Sequence, residues 1–176
     1  MTLLHVLHSP YCKKNESQES ETVSRDRDPE ETSAGDMQAF AWTYAQKTGE
    51  LRQDGKHVAT GYSGFGAGKN NPQMESVHNV GPIPQGDWTI AGPPVDTTEH
   101  GPCVLTLKPA ADTATFGRDG FLMHGDSRES PGCASHGCVI MPRQVREQVW
   151  KSGDTDLEVV EQLAPAPPQA EETKTK

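Results

Sequence analysis

Between Ala39 and Leu163 the apolar residues come in short runs, and most runs are closed by glycine, proline, asparagine or aspartate. Such runs cannot cover one side of a long helix, which needs apolar positions recurring three and four apart over several turns. They suit β-strands, which bury alternate residues and stop where the backbone must turn. "AFAWTYA" puts Phe40, Trp42 and Tyr44 on one face of a strand. "TGELRQDGKHVATGY" carries Asp54-Gly55 between two candidate strands, a pair that accepts the positive φ angles of a tight hairpin. "GDWTIAG", "CVLTLKP", "DGFLMHG" ending at His124, "GCVIM" beginning at Cys138 and "DLEVVEQL" read as further strands. One segment has helical period: in "PRQVREQVWKSG", Val145, Val149 and Trp150 share a side, Pro142 stands at the start and Gly153 at the stop. With no alternation of strand and helix, the pattern predicts a mainly β domain, a sandwich or barrel, with one short helix after the strand that begins at Cys138.

The flanks differ in kind. "KKNESQESETVSRDRDPEETSAGDM" holds almost no apolar side chains and cannot bury enough surface to offset ordering. Residues 1–38 are therefore expected to form a disordered lead, 39–163 the folded domain, and 164–176 a Pro-rich, then charged, tail. The net charge of −9 without a basic run argues against a nucleic-acid partner or an anionic membrane surface. No apolar stretch is long enough to insert across a bilayer. "MTLLHVLHSPYCKK" lacks a basic leading region and a small-residue cleavage site, so it does not read as a signal peptide. Four cysteines in a chain of 176 residues do not make a disulfide scaffold, and free thiols are the expectation.

"HGDSRESPGCASHGC", from His124 to Cys138, concentrates two histidines and two cysteines, and three readings compete for it. A zinc site has the right ligand types, but Cys133, His136 and Cys138 are spaced three and two apart, unlike the common structural sites. A catalytic zinc on His124 and His136 stays open. A Cys133–Cys138 disulfide closes too small a loop to add much stability, although it would mask a reactive thiol. The third reading is a nucleophile with its base. Cys138 follows Gly137, which lets the backbone approach a substrate closely. The amides of Cys138 and Gly137 are candidates for an oxyanion contact. A thiol needs a base to become a thiolate, and His124 ends one strand where Cys138 begins another. Neighbouring strands would bring imidazole and sulfur together, with the ring oriented by the Gly125 or Asp126 carbonyl or by the Asp126 side chain. The catalytic reading leads.

These residues resemble a known pattern. "H-G-D…S-H-G-C-V" is similar to the active-site motif of YkuD-type L,D-transpeptidases. "GYSGFGAGKNNPQMESVHNVGPIPQGDWTI" followed by "DGFLMHGD…ASHGCVIM" resembles the L,D-transpeptidase-related toxin family delivered by type VI secretion systems. The resemblance implies a β-rich L,D-transpeptidase-like catalytic domain over 39–163, with Cys138 as nucleophile and His124 as base. It implies peptidoglycan stem peptides as substrate, with L,D-carboxypeptidase activity when water accepts the acyl group and D-amino-acid exchange when an amine does. It also implies no cofactor and no metal, a cognate immunity protein and a secretion apparatus as partners. The protein would be made in the bacterial cytoplasm, exported without a signal peptide, and active in the target-cell periplasm. The usual arginine soon after the cysteine is missing, since Val139, Ile140 and Met141 follow, so either Arg128 or Arg143 substitutes as the carboxylate contact or the substrate is held otherwise. His136 fills the variable place of S-x-G-C and is a candidate contact to the substrate or the oxyanion, and Ser135 is a candidate substrate contact.

"GYSGFGAGKNNP" looks like a phosphate-cradling loop, but Lys69 is followed by Asn70 where serine or threonine is required. It reads as a Gly-rich loop between strands that lines the groove through Tyr62, Ser63, Lys69 and Asn70. Two alternatives to the enzyme remain at this level: an inactive peptidoglycan-binding module on the same fold, and a zinc hydrolase.

Overall fold

The computed structural model describes residues 41–163, so the expected lead and tail, and Phe40, lie outside the described residues. The β pattern is realised as one sheet. Its strands are β1 (Trp42–Ala45), β2 (Glu50–Gln53), β3 (Lys56–Thr60), β4 (Tyr62–Ser63), β5 (Gly86–Thr97), β6 (Gly101–Pro109), β7 (Leu122–His124), β8 (Val139–Ile140) and β9 (Asp156–Val160). Helix α1 (Arg143–Ser152) lies between β8 and β9. The hairpin forms as its turn chemistry dictates: Asp54 and Gly55 take φ angles of 49° and 75°, and β2 reverses into β3. Pro142 caps α1, and Gly153 ends it at φ 78° with its N–H turned back to the Trp150 carbonyl. The strand expected to begin at Cys138 begins one residue later, at Val139.

The strand order is β3-β2-β1-β9-β5-β6-β7-β8-β4. Pairing is antiparallel except for β1 with β9 and β7 with β8. β3 and β4 thus stand at opposite edges, yet only Gly61 separates them in sequence. A sheet whose two edges are joined by one residue must curl until they nearly meet, and the result is a barrel. Gly61 makes the seam possible. Its N–H donates to the Gly49 carbonyl at 2.8 Å, while a Cβ placed on it would stand 1.9 Å from the Ile140 carbonyl oxygen.

The barrel is filled by alternate residues of its strands. Trp42 and Tyr44 of β1, Leu105 of β6, Met123 of β7, Val139 of β8 and Leu157 of β9 are fully buried. Trp88 packs edge-on against Phe121, ring centroids 4.9 Å apart, and its indole N–H finds the Pro84 carbonyl at 3.1 Å, so its polar atom is satisfied in the core. Helix α1 adds Val149 to this core, with Val145 and Trp150 partly buried against it, as the helical spacing predicts.

Replacing Gly61 by alanine sets a methyl group against backbone that cannot swing aside. We expect Gly61→Ala to lower stability by more than about 2 kcal/mol in chemical denaturation. Gly55→Ala meets no neighbour and carries only the left-handed backbone strain, about 1 kcal/mol. Equal losses in the two variants would mean that the seam relaxes and does not constrain closure.

Candidate active site

β7 and β8 are neighbours in parallel register, with Met123 opposite Val139 and His124 opposite Ile140. Residues opposite each other point to the same face, and faces alternate along each strand. Met123 and Val139 therefore go into the core, while His124 and Ile140 belong to the other face, and Cys138 lies immediately before β8. The thirteen residues between His124 and Cys138 form the connection that this parallel pair requires.

His124 is almost wholly buried, at 2% exposure. Its Nδ1 lies 2.8 Å from the Gly125 carbonyl oxygen, which only accepts, so the proton sits on Nδ1 and Nε2 keeps its lone pair. Nε2 is buried and has no hydrogen-bond partner among the described residues, the Cys138 sulfur included. Burial above all lowers the imidazole pKa to about 4; the nearby His100 and Arg146 lower it further, against the Gly125 hydrogen bond and Asp126. The His100 ring lies on the His124 ring, centroids 4.4 Å apart. Cys138 is half-buried, and its thiol makes a long 3.9 Å contact to the Gly120 carbonyl. Burial raises its pKa, and this outweighs the lowering by the Leu122 N–H and by Arg118. At neutral pH both groups are uncharged.

The turn before Cys138 is built on two hydroxyls. Ser135 is fully buried; its Oγ accepts from Gly64 N–H at 2.9 Å and Gly137 N–H at 3.1 Å, and donates to the Cys138 carbonyl at 2.6 Å. Ser63 of β4, also fully buried, accepts from Ile83 N–H at 2.7 Å and donates to the Gly137 carbonyl at 3.0 Å. The Gly137 amide, a candidate oxyanion donor from sequence, is thus taken up inside the turn. Asn70, at φ 52°, braces β4 by accepting from Ser63 N–H at 3.0 Å.

A second set of contacts holds the loop after His124. Tyr62 donates to Asp126 Oδ1 at 2.6 Å and accepts from Ala134 N–H at 3.0 Å. Asp126 Oδ1 also accepts from Ser127 N–H, and Oδ2 from Gly132 N–H, both at 2.8 Å. Burial works to raise the Asp126 pKa, but these hydrogen bonds bring it below the usual value. Lys69 Nζ sits 3.9 Å over the Tyr62 ring and reaches the Gly132 carbonyl at 3.2 Å. Asp126 thus shapes the loop, and the Gly125 carbonyl is what orients the His124 ring.

Two openings flank the pair. His124, His100, Arg128, Arg143 and Arg146 line a groove of about 1160 Å³. Cys138, Gly120, Phe121 and Arg118 line a cleft of about 190 Å³. His136 borders both, exposed and stacked on Phe65 at 5.3 Å. Arg143 is paired with Glu147 at 2.8 Å. Sequence spacing did not reveal His100, Ser63's role in the turn, or the buried guanidinium groups of Arg118 and Arg146, because each acts through contacts far along the chain. The expectation of free thiols holds for Cys133 and Cys138, but Cys103 is disulfide-bonded. Spacing among four cysteines does not disclose which sulfurs meet. Among the described residues no three His, Cys, Asp or Glu side chains gather as a metal site, and no helix is long and apolar enough to cross a membrane.

A mainly β barrel with a histidine at the end of one strand and a cysteine just before the parallel strand beside it is the class that fold and site define. The model of the Tlde1 domain matches residues 57–162, and the chain belongs to that family of type VI secretion effectors. Neither a curated protein nor a solved structure matches the chain.

Ser135→Ala leaves Gly64 and Gly137 N–H without their shared acceptor in a buried place. We expect a loss of about 2–3 kcal/mol, read by denaturation, and faster alkylation of Cys138 as its turn loosens. Unchanged alkylation would mean that Ser63 alone fixes the turn.

Proposed function

We propose that the protein is a cysteine-dependent acyltransferase acting on peptidoglycan tetrapeptide stems, as an L,D-carboxypeptidase, a D-amino-acid exchange enzyme, or both. The observation that carries the reading is the state of His124: a buried imidazole with Nδ1 fixed by Gly125 and Nε2 unpartnered, at the end of the strand that pairs with the one Cys138 precedes. Substrate in the groove displaces water and brings thiol and imidazole into a hydrogen bond, as many catalytic pairs do only in the complex. The Cys138 proton passes to Nε2 while sulfur bonds to the carbonyl carbon of the diaminopimelate L-centre. The Cys138 amide takes the oxyanion contact, Gly137 being engaged by Ser135. The tetrahedral intermediate collapses, the bond to the terminal D-alanine breaks, and the imidazolium returns its proton to the departing amine. The thioester is then opened by water, leaving a tripeptide, or by a D-amino acid, leaving an exchanged tetrapeptide. In each case His124 takes the incoming proton and Cys138 recovers it.

In supporting roles, Tyr62 and Asp126 line the groove, Lys69 braces Tyr62 and the Gly132 carbonyl from outside it, Asn70 braces β4, Ser135 sets the turn, His136 stands at the border of the two openings, and Arg128 and Arg143 face the groove for a substrate carboxylate. The family supports the setting of this reading: the effector is carried by a secretion apparatus and countered in its producer by an immunity protein, and in the proposed reaction it acts on the wall in the target-cell periplasm.

Reduced protein incubated with tetrapeptide muropeptides, with and without a free D-amino acid, is expected to yield tripeptide or exchanged tetrapeptide by mass spectrometry, and Cys138→Ala none. Product from neither protein would favour a peptidoglycan-binding module on this fold. The pH dependence has a definite sign. Protonation removes the base, so kcat/KM falls as pH drops, and with the imidazole pKa lowered to about 4 the acid limb lies near pH 4. A limb near the ordinary imidazole value of about 6.5 would place the working base elsewhere.

A further inference from the structure

Arg118 is buried to 7% exposure between two loops and spends its donors on backbone carbonyls. Nη1 donates to Glu75 and, at 2.7 Å, to Pro82; Nη2 donates to Gly81 at 2.9 Å and to His136 at 3.3 Å. No carboxylate pairs with it among the described residues, and the Glu75 carboxylate is engaged by Gln46 and Gln85. The Glu75 charge favours the guanidinium from nearby without pairing with it, and a buried charge held mainly by carbonyl dipoles is still costly. Strapping two loops does not require a full charge, so the guanidinium calls for a second reason.

Its position supplies one. Arg118 lines the same cleft as Cys138. A Cβ on Gly137, whose φ is 136°, would stand 2.2 Å from Arg118 Nη2, so the guanidinium is pressed against the backbone immediately before the nucleophile. The Phe121 ring lies 5.1 Å from the guanidinium carbon and shields that side. We propose that Arg118 is a positioning residue whose buried positive charge stabilises the Cys138 thiolate formed during the reaction, while its donors hold the turn that presents the thiol. This rests on Cys138 being the nucleophile. The direction agrees with the lowering of the Cys138 pKa by Arg118. The other titratable groups around the thiol are His136 on its own turn, His124 on β7, Asp119 beside Arg118, and His78 and Glu75 on the loop before β5. His124 is neutral at rest, which leaves Arg118 as the fixed positive charge among the residues that line the cleft.

The test follows iodoacetamide alkylation of Cys138 against pH, read site by site by mass spectrometry, in wild type, Arg118→Gln and Arg118→Lys. Near-ultraviolet circular dichroism establishes that each variant is folded. Loss of the charge is expected to move the alkylation midpoint up by about one pH unit, which slows the reaction about tenfold at a pH below both midpoints. Arg118→Lys, which keeps a charge but not the fork of donors, is expected to lose stability and yet hold a midpoint near wild type. Should Arg118→Gln fail to fold, Arg118→Met fills the same volume without charge and decides the question. A folded neutral variant with an unchanged midpoint would overturn the proposal and leave Arg118 as a strap. The thiol titration needs no substrate. A shifted midpoint in a protein that makes no product from muropeptides would uphold the inference and count against the proposed reaction alone.

Discussion

The site depends on two buried serine hydroxyls. Ser63 and Ser135 reach from β4 and from the turn before Cys138, and between them they engage the Gly64, Ile83 and Gly137 amides and the Gly137 and Cys138 carbonyls. A turn between strands leaves backbone groups that the ladder cannot satisfy, and in a buried turn each would cost free energy unpaired. Hydroxyls suit the task because each both donates and accepts. β4 is only two residues long and would scarcely count as a strand by its ladder alone. Its function is to deliver Ser63, and the single residue of Gly61 lets it arrive there by joining the barrel's two edges.

The same economy explains the buried arginines. Arg146 on α1 donates to the Met141, Pro102 and Cys103 carbonyls, and Arg118 to four others. Both sit where several irregular segments converge with carbonyls pointing inward. Guanidinium offers more donors in a fixed plane than any other side chain, so one residue closes a whole set of unmatched acceptors. Burial lowers the pKa of each, Arg146 to about 10, yet both remain charged at neutral pH. Uncharged Cys138 therefore feels the fixed positive charge of Arg118, and uncharged His124 that of Arg146.

Much of this fold is legible in the sequence where the signal is local. Asp54-Gly55, the alternation in "AFAWTYA", and the Pro142 and Gly153 bounds of α1 each report a conformation fixed by neighbouring residues. His124 and Cys138 stand out by motif, and the register of β7 with β8 is what gives their spacing a structural meaning. The rest is not local. Tyr62-Ser63 lies in a Gly-rich stretch that reads as loop, and it becomes a strand only because β8 is beside it. Arg118 and Arg146 look like surface charges in sequence, since nothing nearby foretells the carbonyls that they meet. His100 lies on His124 through the β5–β6 connection, and Cys103 forms its disulfide where composition favoured a free thiol.

The neutral resting pair also bears on how the chain would tolerate the proposed nucleophile. An imidazolium–thiolate pair would be reactive at all times toward any electrophile that entered the cleft. Here burial opposes charge on both partners, so separating charge between them is unfavourable until something else in the site favours it. In the proposed reaction that change comes with the substrate, which closes the groove over His124 and offers an electrophilic carbonyl as the proton leaves. The developing oxyanion then carries the negative charge away from sulfur, toward the amide of Cys138 and the field of Arg118. In that proposed reaction, reactivity is coupled to occupancy by the substrate's electrophilic carbonyl and by fixed charge, with no moving part required beyond the approach of thiol to imidazole.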